Sequence, residues 1–118
     1  MIKKYSFLLM IFSLSLITFN LSASSHGYVV KGVSASTCEK AIELYELDNK
    51  KGEQLLKSVF QSFLTGYNLK HYQNTKKSKN LDMTAAYVFE SIMRDCRKNK
   101  KEKLYWTLVD FWGGLEWN

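Results

Sequence analysis

An apolar stripe with helical spacing runs through the middle of the chain and points to a helical fold. Its members recur every three or four residues: Leu56, Val59, Phe60, Phe63, Leu64 and Tyr67. Residues spaced in this way share one face of an α-helix. The 118 residues include no proline and six glycines, fewer turn formers than a β sandwich or barrel of many short strands would use. We therefore predict one all-α domain, a small four-helix bundle.

The first 23 residues have the pattern of a secretory signal peptide. Lys3 and Lys4 precede an uncharged run of apolar residues and serines over 7–19, and the small or aliphatic residues at 21–23 provide a cleavage site. This run is shorter than the ~20 residues that a membrane-spanning helix needs, although an uncleaved membrane anchor is the alternative. We predict export to the periplasm, cleavage after Ala23 and a single mature domain over residues 24–118.

Two cysteines, Cys38 and Cys96, lie in the mature part of the chain. An even number of cysteines in a small exported domain is typical of a disulfide. Chain entropy gives such a bridge about 4 kcal/mol, which is comparable with the net stability of a small domain. Free thiols or a metal pair are the alternatives, but His26 and His71 have no ligand spacing relative to the cysteines. We predict one disulfide, no metal site and no cofactor.

Polar residues predict the ends of the first two helices. Ser36 and Glu39 have the spacing of a capping box and open a first helix that ends near Leu47. The polar pair at 48–49 breaks that helix and caps a second one that begins near Lys50. Gly66 either ends the second helix in a left-handed turn or allows a neighbouring backbone to approach closely.

The second half of the mature chain predicts two more helices. Residues 73–80, QNTKKSKN, contain no apolar residue and are expected to form the longest and most mobile loop. Asp82 caps a third helix, and the pair Asn99 and Glu102 opens a fourth that stops at the glycines 113–114. The third helix has one apolar face: Ala85, Val88, Phe89, Ile92 and Cys96. A disulfide would therefore join the start of the first helix to the end of the third.

The fourth helix has an apolar arc wider than the ~100° that a surface helix needs to meet its own core. We take six residues of this arc as candidate protein-binding residues: Leu104, Tyr105, Leu108, Val109, Phe111 and Trp112. The alternative is that the helix lies between two others in a tightly packed bundle.

Basic residues are concentrated at 50–51, 76–79 and 94–103. Cations near a helix end also complement the helix dipole, so a solvated charge run is one interpretation. Attraction to an anionic membrane surface or to an acidic partner is the other. We expect no nucleic-acid partner, because the chain is exported and these runs contain no interleaved aromatic residues.

Catalytic motifs are nearly absent. A two-histidine ribonuclease would need His26 and His71 held a few ångströms apart by rigid elements, and neither position provides that. There is no Ser-His-Asp spacing and no glycine-rich phosphate loop. We expect no catalytic residues and a non-enzymatic protein.

The order of these segments resembles the HdeA/HdeB-like family of small, exported, all-helical bacterial proteins. The resemblance runs from Thr37 to Trp112 and rests on a cysteine in STCEKAIELY, the triplet Gly66-Tyr67-Asn68 in VFQSFLTGYN and a second cysteine in FESIMRDCRKNKKEKL. It implies that the two cysteines form the family's single disulfide. It also implies an acid-stress chaperone of the periplasm, a dimer that dissociates at low pH and exposes apolar surface to unfolding clients.

We therefore expect a non-enzymatic periplasmic binding protein of the HdeA-like chaperone type. Its partners would be unfolding protein clients, with a homodimer and a weak contact with an anionic membrane surface as further interactions. One alternative is an immunity or inhibitor protein that neutralises a single toxin or enzyme delivered to the periplasm. An accessory protein of an envelope secretion system is another.

Overall fold

The structure, a computed structural model, describes residues 32–118. A short 3-10 helix at Gly32–Ala35 is followed by four α-helices: α1 Cys38–Leu47, α2 Asn49–Thr75, α3 Ala85–Lys98 and α4 Leu104–Gly113. No strand is present within residues 32–118, where β pairing is limited to two isolated bridges. The prediction of an all-α fold with four helices is confirmed. The predicted signal peptide and its cleavage site lie outside the described residues.

The core lies where the four α-helices meet. Thirteen apolar side chains are buried there, contributed by every α-helix: Cys38, Ala41, Leu56, Phe60, Leu64, Val88, Phe89, Ile92, Met93, Cys96, Leu104, Leu108 and Trp112. The apolar stripe of α2 faces inward as predicted, because its members are either in this core or packed against it. None of the helices in residues 32–118 is both long enough and apolar enough to cross a bilayer.

The predicted disulfide is present. Cys38 and Cys96 are bonded, with their Cα atoms 4.9 Å apart, and both side chains are fully buried. Cys38 is the first residue of α1 and Cys96 lies in the last turn of α3. The bond therefore joins the two helix ends that were predicted from the sequence. The Thr107 hydroxyl of α4 lies 3.3 Å from the Cys38 Sγ and donates to it, since a bridged sulfur has no proton. Three helices therefore meet at the disulfide.

Two predicted N-caps are wrong by one or two residues. Thr37, not Ser36, caps α1, and its hydroxyl accepts a hydrogen bond from the backbone N–H three residues on. Thr84, not Asp82, caps α3 with the same geometry. Each predicted cap lies close to a second residue that can also cap a helix. Thr37 and Thr84 have the extended backbone of the residue before the first helical turn, with ψ 160° and 150°, which brings their hydroxyls within reach of the N–H groups.

The capping box predicted for α4 is also wrong. Asn99 instead ends α3, where its N–H donates to two carbonyls of the last turn. Lys103 precedes α4 and makes no side-chain cap. Residues 99–103 connect α3 to α4. Two of their carbonyls accept hydrogen bonds from the first turn of α1, so the Asn99–Glu102 spacing does not begin a helix.

α2 is longer than predicted. It continues through Gly66 to Thr75 and ends at Lys76, which adopts a left-handed conformation with φ 61°. Neither interpretation of Gly66 is correct, because the helix does not end there and a Cβ at Gly66 would meet no atom within 4 Å. The connection to α3 therefore begins at Lys76 rather than at Gln73.

The close backbone approach occurs at Gly52 instead. A Cβ at Gly52 would lie 2.6 Å from the Leu44 carbonyl oxygen and 2.9 Å from the Tyr45 Cα. This contact lets α1 and α2 cross closely just after the turn between them. Asp48 caps α2 by accepting from the Lys51 N–H at 3.2 Å, so the break predicted at 48–49 is confirmed.

Candidate functional site

The six candidate protein-binding residues lie on α4, and half of them belong to the core. Leu104, Leu108 and Trp112 are buried, whereas the side chains of Tyr105, Val109 and Phe111 are half-buried. The wide apolar arc therefore packs largely against the other helices, as the alternative interpretation proposed. These core residues can reach a client only when α4 moves away from its neighbours.

The N-terminal end of α4 is tied to α1 beside the disulfide. The Leu104 N–H donates to the Ser36 carbonyl at 2.8 Å. The N–H groups of Cys38 and Glu39 donate to carbonyls of the 99–103 connection at 2.8 and 2.9 Å. First-turn N–H groups have no partner within their own helix, so the connection supplies the acceptors that α1 needs. We call this arrangement the disulfide junction.

A buried lysine holds the C-terminal end of α4. Lys79, from the α2–α3 connection, is 6% exposed. Its ammonium donates to the carbonyls of Gly113 at 3.1 Å and Leu115 at 2.8 Å. The last carbonyls of a helix carry partial negative charge, so they are suitable acceptors for a cation. Lys79 takes part in none of the three ion pairs found within residues 32–118.

Two indole rings face the Lys79 ammonium. Its Nζ lies 4.0 Å from the ring centroid of Trp117 and 5.4 Å from that of Trp112, within the range of a cation–π interaction. The His71 ring touches the same indoles, with centroid distances of 4.9 Å to Trp112 and 5.4 Å to Trp117. We call these four residues together with Asn68 the lysine latch.

The Gly66-Tyr67-Asn68 triplet contributes to the lysine latch through its last two residues. The Asn68 Oδ1 accepts from the Lys79 N–H at 2.7 Å and from the Trp112 Nε1–H at 3.1 Å, and its Nδ2 donates to the Lys79 carbonyl at 3.0 Å. The Tyr67 ring meets Trp112 edge-on at 4.9 Å. Asn68 therefore connects α2, the following connection and α4, whereas Gly66 makes no comparable contact.

The end of the chain pairs with the α2–α3 connection. The Asn80 N–H donates to the Glu116 carbonyl at 2.8 Å, and the Asn118 N–H donates to the Ser78 carbonyl at 3.0 Å. These bonds flank the antiparallel bridge between Lys79 and Trp117. Residues 73–80 were predicted to be the most mobile loop. Positions 78–80 do not fit that prediction, because their backbone groups are paired and Lys79 is buried.

A groove of about 310 Å³ lies beside the lysine latch, lined by Gly66, Tyr67, Lys70, His71 and Asn74. Of the two histidines in the chain, His71 lies in the lining of this groove, whereas His26 lies outside the described residues. Within residues 32–118 no three His, Cys, Asp or Glu side chains are grouped so that they could hold a metal ion.

The densest positive charge lies at the end of α3 and in the connection to α4. Six exposed cations form what we call the basic patch: Arg94, Arg97, Lys98, Lys100, Lys101 and Lys103. With two acidic residues, segment 94–103 has a balance of +4, whereas the rest of 32–118 has eight basic and nine acidic residues. The charge of the described chain is therefore concentrated at the disulfide junction.

A scan against protein-family models, a search of the curated proteins and a search of the solved structures find no match to this chain. The likeness to the HdeA/HdeB-like family thus stays a prediction from the residues quoted above.

Sequence reasoning missed the lysine latch. Lys79 lies in a run of polar and basic residues that was predicted to form a mobile loop, and Trp117 lies beyond the predicted end of the last helix. The one available signal was Asn68, which the resemblance picked out as part of a motif. The pairing of positions 79 and 117 depends on how the chain folds back and has no local pattern.

Proposed function

We propose that this protein is a non-enzymatic, exported binding protein of chaperone type, whose client surface is the apolar face that α4 turns toward the core. The observation that supports this proposal most is the unequal anchoring of α4. Its N-terminal end is tied to α1 beside a covalent bond. Its C-terminal end is held by the lysine latch, which consists of hydrogen bonds and ring contacts.

Acid acts on this arrangement through the net charge. Residues 32–118 contain fourteen basic and eleven acidic side chains, a balance of +3. When the carboxylates are protonated, the balance of these side chains becomes about +14. Self-repulsion then favours an expanded chain. The disulfide does not depend on pH in this way. We therefore propose that α4 separates from the other helices in acid and that this separation begins at its latch end.

The surface released by that separation is apolar and aromatic. Leu108 and Trp112 leave the core, and the Tyr67 ring loses its contact with Trp112. Exposed apolar surface of this kind binds unfolded chains without sequence preference. The disulfide keeps the opened protein compact enough to close again when the pH returns to neutral.

An acid titration of the oxidised protein tests the proposal. We expect binding of an apolar dye and a change in tryptophan fluorescence below roughly pH 3, where carboxylates are largely protonated. In the same range the protein should keep an acid-unfolded client soluble through neutralisation. Size-exclusion chromatography at both pH values measures the dimer dissociation that the family resemblance implies.

Matched variants connect the activity to the latch. Lys79→Met should shift dye binding and client protection to higher pH, whereas Lys77→Met, on the same connection, should behave like the parent. A protein that stays native and dye-silent at pH 2, and gives the client no protection, would overturn the chaperone proposal. One strongly bound protein captured from periplasmic extract at neutral pH would then support the inhibitor alternative.

A further inference from the structure

We propose that the basic patch is a docking surface for the phosphate headgroups of an anionic lipid bilayer, with Trp106 as its interfacial anchor. This surface is separate from the lysine latch, and the inference does not depend on chaperone activity. It is carried by three observations: a rigid backbone under the cations, their local excess over acidic groups, and an exposed indole beside them.

The backbone that carries the patch is held in place. The N–H groups of Cys38 and Glu39 bind carbonyls of Glu102 and Lys100. The bridge between Thr37 and the residue before α4 lies alongside, and the disulfide anchors the end of α3. Lysine side chains have flexible four-carbon stems, but here their attachment points are fixed. Binding therefore orders little additional backbone, which lowers its entropic cost.

The charges of the patch are available to a partner. Within residues 32–118 the ion pair that involves this segment joins Arg94 to Asp95 at 3.9 Å, and the two side chains are 64% and 44% exposed. Four of the six cations are lysines, which act as mobile point charges rather than as rigid bidentate forks. Point charges suit a fluid layer of phosphates, and clusters of basic residues of this size bind anionic lipid surfaces.

Trp106 distinguishes a bilayer from a purely acidic partner. Trp106 is 50% exposed. Its backbone N–H donates to the Lys103 carbonyl at 3.0 Å, so it lies one helical turn from the last cation of the patch. The Tyr105 ring packs against it with a centroid distance of 5.0 Å. Indole rings favour the headgroup region of membranes, where this one would add apolar contact to the charge attraction.

Sedimentation with lipid vesicles tests the proposal. The exported protein is mixed with vesicles of phosphatidylglycerol and phosphatidylethanolamine, and with neutral phosphatidylcholine vesicles as a reference. Its N-terminus is established by mass spectrometry and is the same in every variant, so differences between variants report on the patch alone. We expect binding to the anionic vesicles that weakens as salt shortens the screening length to below ~10 Å.

Two quadruple variants distinguish the contribution of the patch to vesicle binding from that of the net charge. The patch variant carries Lys98→Gln, Lys100→Gln, Lys101→Gln and Lys103→Gln. The control variant carries Lys50→Gln, Lys51→Gln, Lys70→Gln and Lys77→Gln, which are also exposed and lower the net charge equally. Since each cation near an anionic surface contributes about a fivefold gain in binding, the patch variant should bind at least about a hundredfold more weakly at low salt. The control should lose much less.

Trp106→Ser provides the second measurement. The parent should show quenching of tryptophan fluorescence by brominated lipids, and this variant should lose most of it, because Trp112 is buried and Trp117 lies at the other end of α4. Equal losses in the two quadruple variants would overturn the proposal in favour of net charge. Equal binding to neutral vesicles would overturn it, as would binding to an acidic polypeptide with no binding to anionic vesicles.

Discussion

Replacing Lys79 by methionine removes the ammonium group and keeps an unbranched apolar side chain at the same place. The substitution leaves the carbonyls of Gly113 and Leu115 without their donor. It also removes the cation that lies 4.0 Å from the Trp117 ring centroid. The hydrogen bonds between the Lys79 backbone and Asn68 stay available, since they involve the main-chain N–H and carbonyl of Lys79 and the side-chain amide of Asn68.

These contacts set the expected magnitude. Each hydrogen bond from a charged donor contributes about 1.5–3 kcal/mol, and the cation–π contact about 0.5–2 kcal/mol. One effect opposes the loss, because a buried ammonium has a desolvation cost and a buried methionine does not. We expect a net destabilisation of about 2 kcal/mol, which corresponds to a fall in Tm of about 8–16 °C for a domain of this size.

Thermal and urea denaturation of the oxidised protein measure this difference. Lys77→Met is the matched control, because Lys77 is exposed on the same connection and its removal should change the stability little. The parent and both variants should retain the same helix content by circular dichroism. If Lys79→Met is as stable as Lys77→Met, the buried ammonium contributes nothing net, and the reasoning about the end of α4 is refuted.

Three further substitutions test the disulfide and the glycines. Cys38→Ser should lower the free energy of unfolding by about 2–5 kcal/mol, measured by urea denaturation, and a variant as stable as the parent would show that the bundle holds on its core alone. Gly52→Ala should destabilise by about 1–3 kcal/mol, because its Cβ would lie 2.6 Å from the Leu44 carbonyl oxygen; an unchanged urea midpoint would contradict that close crossing. Gly66→Ala should stabilise α2 by about 0.5–1 kcal/mol, since nothing lies within 4 Å of the added Cβ, and a loss of stability there would indicate a contact that the structure does not contain.

Periodicity predicted the parts of the fold that bury one face of a helix. The stripe from Leu56 to Tyr67 specified the inward face of α2, and the face ending at Cys96 specified that of α3. The ends of the helices were harder to predict. α2 extends to Thr75 through residues that are mostly polar and exposed. These residues have no apolar repeat that would indicate a helix.

The candidate site was predictable only where it coincides with the core. The arc of α4 was recognised from its apolar residues, but its division into buried Leu108 and half-buried Val109 depends on how neighbouring helices pack. The lysine latch depends on pairs far apart in the chain, such as Asn68 with Trp112 and Lys79 with Trp117. Local patterns carry no information about such pairs, so Lys79 was predicted to lie in a mobile loop.

The two ends of α4 suggest how the proposed activities would work together. The basic patch lies at the end beside the disulfide, whereas the apolar surface released by opening the lysine latch lies toward the other end. A protein held on a bilayer by the patch would therefore keep the latch end free to open toward clients. Binding to the membrane and binding to a client would then involve different groups of this chain. If that is so, the quadruple patch variant should protect an acid-unfolded client in free solution as well as the quadruple control variant does, since the two have the same net charge. Lys79→Met should bind anionic vesicles at neutral pH as the parent does. A patch variant that protects the client less than the control variant would show that the two surfaces are one, and that the cations at 94–103 contact the client itself.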